Sequence, residues 1–97
     1  MDAMPLTLGQ ELSGWSAQID SAIERLDDSS RRLHRLPLGG TAIGTGVNAD
    51  PRFAKRAIAE LRARTGVKFS QAGNLFEGIA AQDAAVEFSG QLNVLAV

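Results

Sequence analysis

The sequence predicts an all-α protein, part of a long-helix bundle, in the order helix, Gly/Thr loop, helix, connector, helix. Three observations support this fold class. Apolar residues recur at heptad spacing over residues 8–36, as they do in helices that pack against other helices. Capping residues and stop signals divide the remaining chain into two further helical segments. Aromatic residues make up only 5% of the chain, so small side chains favour close helix packing over one bulky core.

The first predicted helix covers residues 7–36. Thr7 and Gln10 form a T-x-x-Q capping box at its start, and Pro37 ends it because the residue before a proline avoids the α region. A helix of this length spans about 45 Å, whereas a compact domain of this size is roughly 25 Å across. We therefore expect its apolar seam to pack against a partner outside the chain, and we predict a homo-oligomer. The seam consists of Leu8, Leu12, Trp15, Ile19, Leu26 and Leu33, with Ser29 where another apolar residue is expected.

A glycine- and threonine-rich loop follows over residues 37–50, PLGGTAIGTGVNAD. A Walker loop needs Lys and then Ser or Thr after its last glycine, where this chain has Val47 and Asn48. The spacing Gly44-x-Gly46-x-x-Ala49 fits a dinucleotide fingerprint only after a strand, and here a helix precedes it. We therefore predict a structured bend that binds no nucleotide, and no cofactor. A functional role for the loop at the end of a helix bundle stays open.

The second helix is predicted to begin with Asp50 as its N-cap and Pro51 in its first turn, and to stop at Gly66. Its predicted buried stripe is Phe53, Ala54, Ala57, Ile58 and Leu61. Residues 67–73 form a connector. Asn74 then caps a third helix, which we predict to continue without a break to the apolar residues 94–97. Those residues carry no stop signal, so we expect the chain to be cut within a helix.

Few residues point to catalysis or metal binding. His34, the only histidine, lies among arginines at a helix end and is interpreted as a partner of the helix dipole. One histidine without cysteine or a carboxylate cluster makes no metal site. Asp83 and Glu87 lie one turn apart, a spacing that can serve acid–base chemistry. We instead expect them to bond polar partners on neighbouring helices or to face solvent.

The composition excludes several other classes. Ten basic and eleven acidic residues give a net charge of −1, and the basic patch of a nucleic-acid binder is absent from the sequence. No apolar run reaches the length of a membrane span, and the first residues lack the features of a signal peptide. We therefore expect a soluble, cytoplasmic protein with neither nucleic-acid nor membrane partners.

Three stretches of the chain resemble the class II fumarases of the aspartase/fumarase superfamily: residues 5–11 (PLTLGQE), 39–48 (GGTAIGTGVN) and 74–84 (NLFEGIAAQDA). The likeness covers essentially the whole chain, in order and with matching gaps. The Gly/Thr loop alone indicates the superfamily, whereas the Asn-x-Phe-Glu stretch with Asp83 favours fumarase over aspartase. Gln82 stands where many fumarases carry a histidine.

The resemblance implies a homotetramer whose subunits contribute long helices to a shared bundle, with active sites where several subunits meet. It implies the reversible addition of water to fumarate, a small dicarboxylate, without a cofactor, giving L-malate in the tricarboxylic acid cycle. Residues 1–97 would be part of the central helical domain, truncated at both ends, and the family's Thr-His pair and serine loop would lie outside them. No catalytic residue is therefore assigned. The polar residues placed nearest the site are Asp2, Gln10, Thr41, Thr45 and Asn48.

Two alternatives remain. The chain could belong to an aspartase or another lyase of the superfamily, whose products include ammonia instead of water. It could also be a non-enzymatic helical module that self-associates through the seam. Sequence beyond Val97 would separate these interpretations, because a Gly-Ser-Ser-x-Met-Pro-x-Lys-x-Asn stretch there would favour a lyase.

Overall fold

The computed structural model describes residues 4–97. Within them the chain forms α1 (Leu8–Leu33), β1 (Arg35–Leu36), α2 (Phe53–Thr65), β2 (Ser70–Gln71), α3 (Leu75–Ala80) and α4 (Asp83–Ala96). The predicted helical fold class is confirmed. The two strands are two residues long and pair in parallel, with Arg35 opposite Ser70 and Leu36 opposite Gln71. None of the helices in this part of the chain is long and apolar enough to cross a membrane.

Helix α1 begins as predicted and ends earlier than predicted. The Thr7 N–H donates to Gln10 Oε1 at 2.9 Å, and the Gln10 N–H donates to Thr7 Oγ1 at 3.2 Å, so the capping box is confirmed. The predicted end at Leu36 is wrong, because α1 stops at Leu33 and His34 is its C-cap. The following residues instead pair with the connector, whose Ser70 N–H donates to the His34 carbonyl at 2.9 Å.

Helix α2 begins two residues later than an N-cap at Asp50 would require. The Asp50 carboxylate accepts the Arg52 N–H at 2.8 Å, so it closes a turn ahead of the helix. Gly66 ends α2 as predicted, in the left-handed conformation with φ 71°. Only part of the predicted stripe is buried: Ala54 and Ile58 are covered, whereas Phe53 and Leu61 are exposed. The covered side faces the Gly/Thr loop and β2, and Ala57 is half-buried.

The third predicted helix is divided in two, so its predicted continuity is wrong. Asn74 caps α3 as predicted, accepting the Phe76 and Glu77 N–H groups at 3.0 Å each. Ala81 then adopts an extended conformation, φ −89° and ψ 144°. The Gln82 carbonyl accepts the first bonds of α4, from Ala85 and Val86. The break allows α3 to lie against the Gly/Thr loop while α4 runs along α1.

Helices α1 and α4 pack in antiparallel directions. Arg32, near the end of α1, bonds to Glu87, near the start of α4. At the other end of the pair, Val94 and Leu95 share a groove with Trp15 and Ala22. Between these points the small side chains of Ala22 and Ser29 are buried, which brings the two helices close together. The part of α1 before Trp15 extends beyond this contact.

The described chain is elongated. Its dimensions are 69 × 27 × 16 Å and its radius of gyration is 20.1 Å, whereas about 12.5 Å is expected for a compact domain of this size. Within residues 4–97 the buried apolar residues are Ala22, Ala54 and Ile58. Of the predicted seam, Leu26 and Leu33 are half-buried, and the remaining residues are exposed: Leu8, Leu12, Trp15 and Ile19. The core therefore does not close within residues 4–97.

Candidate functional site

The Gly/Thr loop, residues 37–50, is folded around one carbonyl group. The Gly40 carbonyl accepts the N–H groups of both Gly44 and Gly46, each at 3.0 Å. The Gly40 N–H in turn donates to the Pro37 carbonyl at 3.3 Å. From outside the loop, Gln71 Nε2 donates to the Leu38 carbonyl at 2.9 Å. These bonds make the loop the structured bend that the sequence predicted.

Two residues other than glycine hold a left-handed conformation in this loop: Thr41, with φ 56°, and Asn48, with φ 62°. Asparagine tolerates this region well, but a β-branched residue such as threonine is a genuine outlier there. Such conformations persist only where the surroundings impose them, and they cluster at functional sites. Both residues are among those that the resemblance placed nearest the substrate, and the strain falls on Thr41.

The loop exposes polar groups that suit binding. Thr41, Thr45 and Asn48 are all exposed on it. Two hydroxyl groups and one amide can donate hydrogen bonds to a carboxylate. Asp50 is the loop's only titratable residue, and the Arg52 guanidinium, 2.9 Å away, bonds to its carboxylate and lowers its pKa. The loop can therefore hold an anionic ligand but has no group suited to accept a proton near neutral pH.

The remaining predicted site residues lie elsewhere. Gln10 is in the first turn of α1, roughly 35 Å along that helix from its other end, which leads through β1 into the loop. Its side chain is used in the capping box. Asp2 lies outside the described residues. Thr41, Thr45 and Asn48 are therefore together on one loop, and the structure of a single chain does not bring Gln10 to them.

The two carboxylates of the third predicted helix, Asp83 and Glu87, have different surroundings. Glu87 binds Arg32 through two bonds, Nε to Oε2 at 2.6 Å and Nη2 to Oε1 at 2.8 Å. Arg32 also bonds to Asp28 at 2.8 Å. These carboxylates raise the pKa of Arg32, which stays charged. Glu87 thus bonds a polar partner on a neighbouring helix, as predicted, and Asp83 is exposed.

His34 shows no feature of a metal ligand. Its ring meets the Phe69 ring edge-on at 5.6 Å between centroids, and it stands at the end of α1 as predicted. No cluster of histidine, cysteine and carboxylate side chains suited to a metal occurs among residues 4–97.

Sequence reasoning missed the residues that cover the loop. Helix α3 lies on it, with Phe76 against Gly44 and Ile79 against Gly40. A partial signal was present in Gly78, because a glycine inside a predicted helix lowers helix stability but allows another backbone to approach closely. A Cβ there would lie 3.2 Å from Pro37 Cβ and 3.1 Å from Ala72 Cβ, so Gly78 is such a point of close approach. Gly90 has no such neighbour within 4 Å.

Comparison with known proteins shows similarity along the whole chain. A family model described as "Lyase" matches residues 1–97. The class II fumarate hydratase of Xylella fastidiosa is 64% identical over 97 residues, which are 100% of this chain and 20% of that protein. The chain thus spans about a fifth of the length of this relative.

Solved structures agree with the sequence comparison. The fumarate lyase:delta crystallin of Brucella melitensis superposes with a TM-score of 0.91 at 40% identity, covering 99% of this chain and 21% of that one. The class II fumarase of Schistosoma mansoni superposes with a TM-score of 0.88 at 32% identity, covering 99% and 23%. The four-helix arrangement described above is therefore shared with much longer chains.

Proposed function

Because the chain belongs to the lyase family whose model matches residues 1–97, we propose that it is a segment of a class II fumarate hydratase. The family assignment confirms the resemblance that three stretches of the sequence indicated. The observation that carries the proposal is the 64% identity, over 97 residues, to the Xylella fastidiosa fumarate hydratase. The activity proposed for the whole protein is the reversible addition of water to fumarate, giving L-malate, as a carbon–oxygen lyase.

The Gly/Thr loop is proposed to border the substrate. Thr41, Thr45 and Asn48 supply neutral hydrogen-bond donors, which suit the carboxylates of a small dicarboxylate. General base catalysis needs a group that is free to take a proton, and the only carboxylate of the loop is held by Arg52. The loop is therefore assigned to binding and positioning, and catalytic proton transfer to parts of the protein outside this segment.

Helix α1 is proposed to assemble the protein. As part of a central helical-bundle domain, its exposed apolar seam would pack against other subunits of a homotetramer. The same assembly accounts for Gln10. Since Gln10 and the loop lie at opposite ends of α1, they can border one active site only if different subunits contribute them.

A chimaera tests the proposal. Residues 1–97 replace the 97 aligned residues of the Xylella fastidiosa enzyme, and fumarate is followed by its absorbance. If the segment performs the same role, the chimaera hydrates fumarate at a rate close to that of the unaltered enzyme. The isolated chain, assayed in parallel, is expected to show no turnover, because a binding surface cannot replace a positioned base.

The control is a second chimaera carrying Gly44→Ala. This variant strains a backbone with φ 97° and places a methyl group against the Phe76 ring, so we expect it to lose activity. A chimaera that folds and assembles like the unaltered enzyme but does not hydrate fumarate would contradict the proposal. That result would favour the aspartase segment or the non-enzymatic module.

A further inference from the structure

We infer that α3 is a positioning element for the Gly/Thr loop, and that Phe76 is its positioning residue. The ring of Phe76 lies directly on the backbone of Gly44. A Cβ built on Gly44 would stand 2.7 Å from Phe76 Cδ1, 3.1 Å from Cε1 and 3.2 Å from Cγ. Only a glycine can accept a ring this close, so the contact is made with the loop's backbone.

A second contact of the same kind lies one helical turn away. A Cβ on Gly40 would stand 2.8 Å from Ile79 Cδ1. Gly40 and Gly44 are both buried, although Phe76 itself is 58% exposed. The side chains of α3 therefore cover these two glycines while the outer part of the ring stays open.

The two covered glycines are the ones that organise the loop. Gly40 provides the carbonyl that accepts two hydrogen bonds, and Gly44 donates one of them at 3.0 Å. Thr41 directly follows Gly40, and Thr45 directly follows Gly44. Each threonine proposed to border the substrate is thus attached to a glycine that α3 holds in place.

Helix α3 is oriented independently of α4. Asn74 caps its start, Gly78 rests on Pro37, and the extended conformation of Ala81 separates it from the next helix. A continuous helix would have carried these residues along the axis of α4. The break therefore has a specific consequence, which is to turn Phe76 and Ile79 onto the loop.

If the Phe76 ring is removed, we expect the Gly/Thr loop to adopt more conformations. The loop contains four glycines, which lose much conformational freedom when they are ordered. The left-handed Thr41 keeps its conformation only while its surroundings impose it. Substrate binds only the competent conformation, so the apparent dissociation constant rises by the inverse of that conformation's population.

The test uses the chimaera and rests on the proposed function. Phe76→Ala removes the ring, Phe76→Leu keeps apolar volume without a flat face, and Phe76→Tyr keeps the ring. We expect KM for fumarate to rise on the order of ten-fold in the first two variants and to return towards the unaltered value with tyrosine. KM is the informative quantity, because a merely structural loss lowers the amount of active enzyme and leaves KM unchanged. If Phe76→Ala does not assemble, the KM of Phe76→Leu tests the inference instead.

A double-mutant cycle tests the contact itself. Gly44→Ala introduces a methyl group where the Phe76 ring lies, so combining it with Phe76→Ala is expected to restore part of the lost kcat/KM, and the two effects will not be additive. Additive effects, or an unchanged KM in both ring-deleting variants, would overturn the inference. An inactive unsubstituted chimaera would instead contradict the proposed function, so the two failures are distinguishable.

Discussion

Ser29 occupies the tightest position on α1 although it is polar. Its side chain is 1% exposed, and its hydroxyl donates to the Leu26 carbonyl of its own helix at 3.1 Å. The polar group is therefore satisfied without any partner on α4. Its small volume, with that of Ala22, allows the two helices to approach. The apparent gap in the heptad seam is the point of closest packing.

A leucine at this position should be harmful despite completing the seam. Ser29→Leu adds volume to a filled interface, where overpacking costs about 1–3 kcal/mol. Ser29→Ala is the matched control, because it keeps the small volume and removes a bond made within the helix. We expect thermal unfolding of the assembled chain to shift strongly with leucine and little with alanine. Greater stability of the leucine variant would contradict this account of the seam.

Asp28 should contribute a pH-dependent part of the stability. The hydrogen bond from Arg32, together with the charges of Arg32 and Arg31, lowers the pKa of Asp28. A lowered pKa in the folded state means that the stabilisation is fully present above the unfolded value of about 3.9. It is lost as the pH falls through the folded pKa.

The measurement compares melting temperatures of the natural chain and Asp28→Asn from pH 7 down to pH 2. The natural chain should be the more stable at pH 7, and the difference should vanish at the acid end. Asp27→Asn removes the same charge next to it and serves as the control, since Asp27 forms no salt bridge among residues 4–97. If the two chains differed in melting temperature by the same amount at pH 7 and at pH 2, the stabilisation would not come from the ionised Asp28 carboxylate.

At the scale of elements, the Gly/Thr loop joins the two-residue strand β1 to the start of α2. The expectation that a helix directly precedes the loop is therefore wrong, because α1 already ends at Leu33. Four of the loop's amide groups are used inside the loop, since Gly40, Gly44, Gly46 and Ala49 all donate to loop carbonyls. A phosphate-binding loop instead points such groups at the ligand. That the loop binds no nucleotide stays a prediction, which these internal bonds favour.

We expect calorimetric titration of the chain with ATP, and separately with NAD, to show no heat of binding. The chain also lacks a lysine in the loop, which a Walker site requires. Gly46→Ala, which disturbs a residue with φ 77°, provides a comparison in which the loop is altered. Saturable binding in the micromolar range that Gly46→Ala abolishes would show that the loop binds nucleotide.

At the scale of the whole molecule, one chain leaves too much surface uncovered. The accessible area is 7675 Å², whereas about 5,400 Å² is expected for a compact monomer of this mass. Trp15 is 56% exposed although it shares a groove with Val94 and Leu95. Each large apolar side chain left in water forgoes roughly 1.5–3 kcal/mol of burial. Since domains are stable by only about 5–15 kcal/mol, we propose that the chain folds only when it assembles.

A dilution series followed by sedimentation and circular dichroism tests this proposal. Mass and helicity should fall together, and Leu12→Asp should abolish both. Leu12 is 48% exposed, and in a monomer a surface substitution of this kind changes stability by only about 0.5 kcal/mol. A loss of helicity in Leu12→Asp would therefore result from the loss of assembly. Asp20→Asn, on the charged face, is the control. A helical monomer that melts cooperatively at low concentration would refute the proposal and weaken the tetrameric interpretation.

The sequence by itself determined where α1 and α3 begin and where α2 ends. The Thr7–Gln10 box, the Asn74 cap and the Gly66 stop are built from atoms within four residues of one another. It also located the loop, because glycine and threonine at this density after a helix are unusual. Signals of this kind depend on local hydrogen bonds and backbone preferences, which a short stretch of sequence contains in full.

Tertiary structure alone decided the early end of α1, the break at Ala81 and the cover of the loop. Arg35 leaves the helix to pair with Ser70, and Arg32 meets Glu87 across 55 positions of sequence. Phe76 reaches Gly44 only because the chain turns between α3 and α4. Each of these contacts joins residues far apart in sequence, so its free energy exists only after the elements have packed, and no local pattern of residues records it.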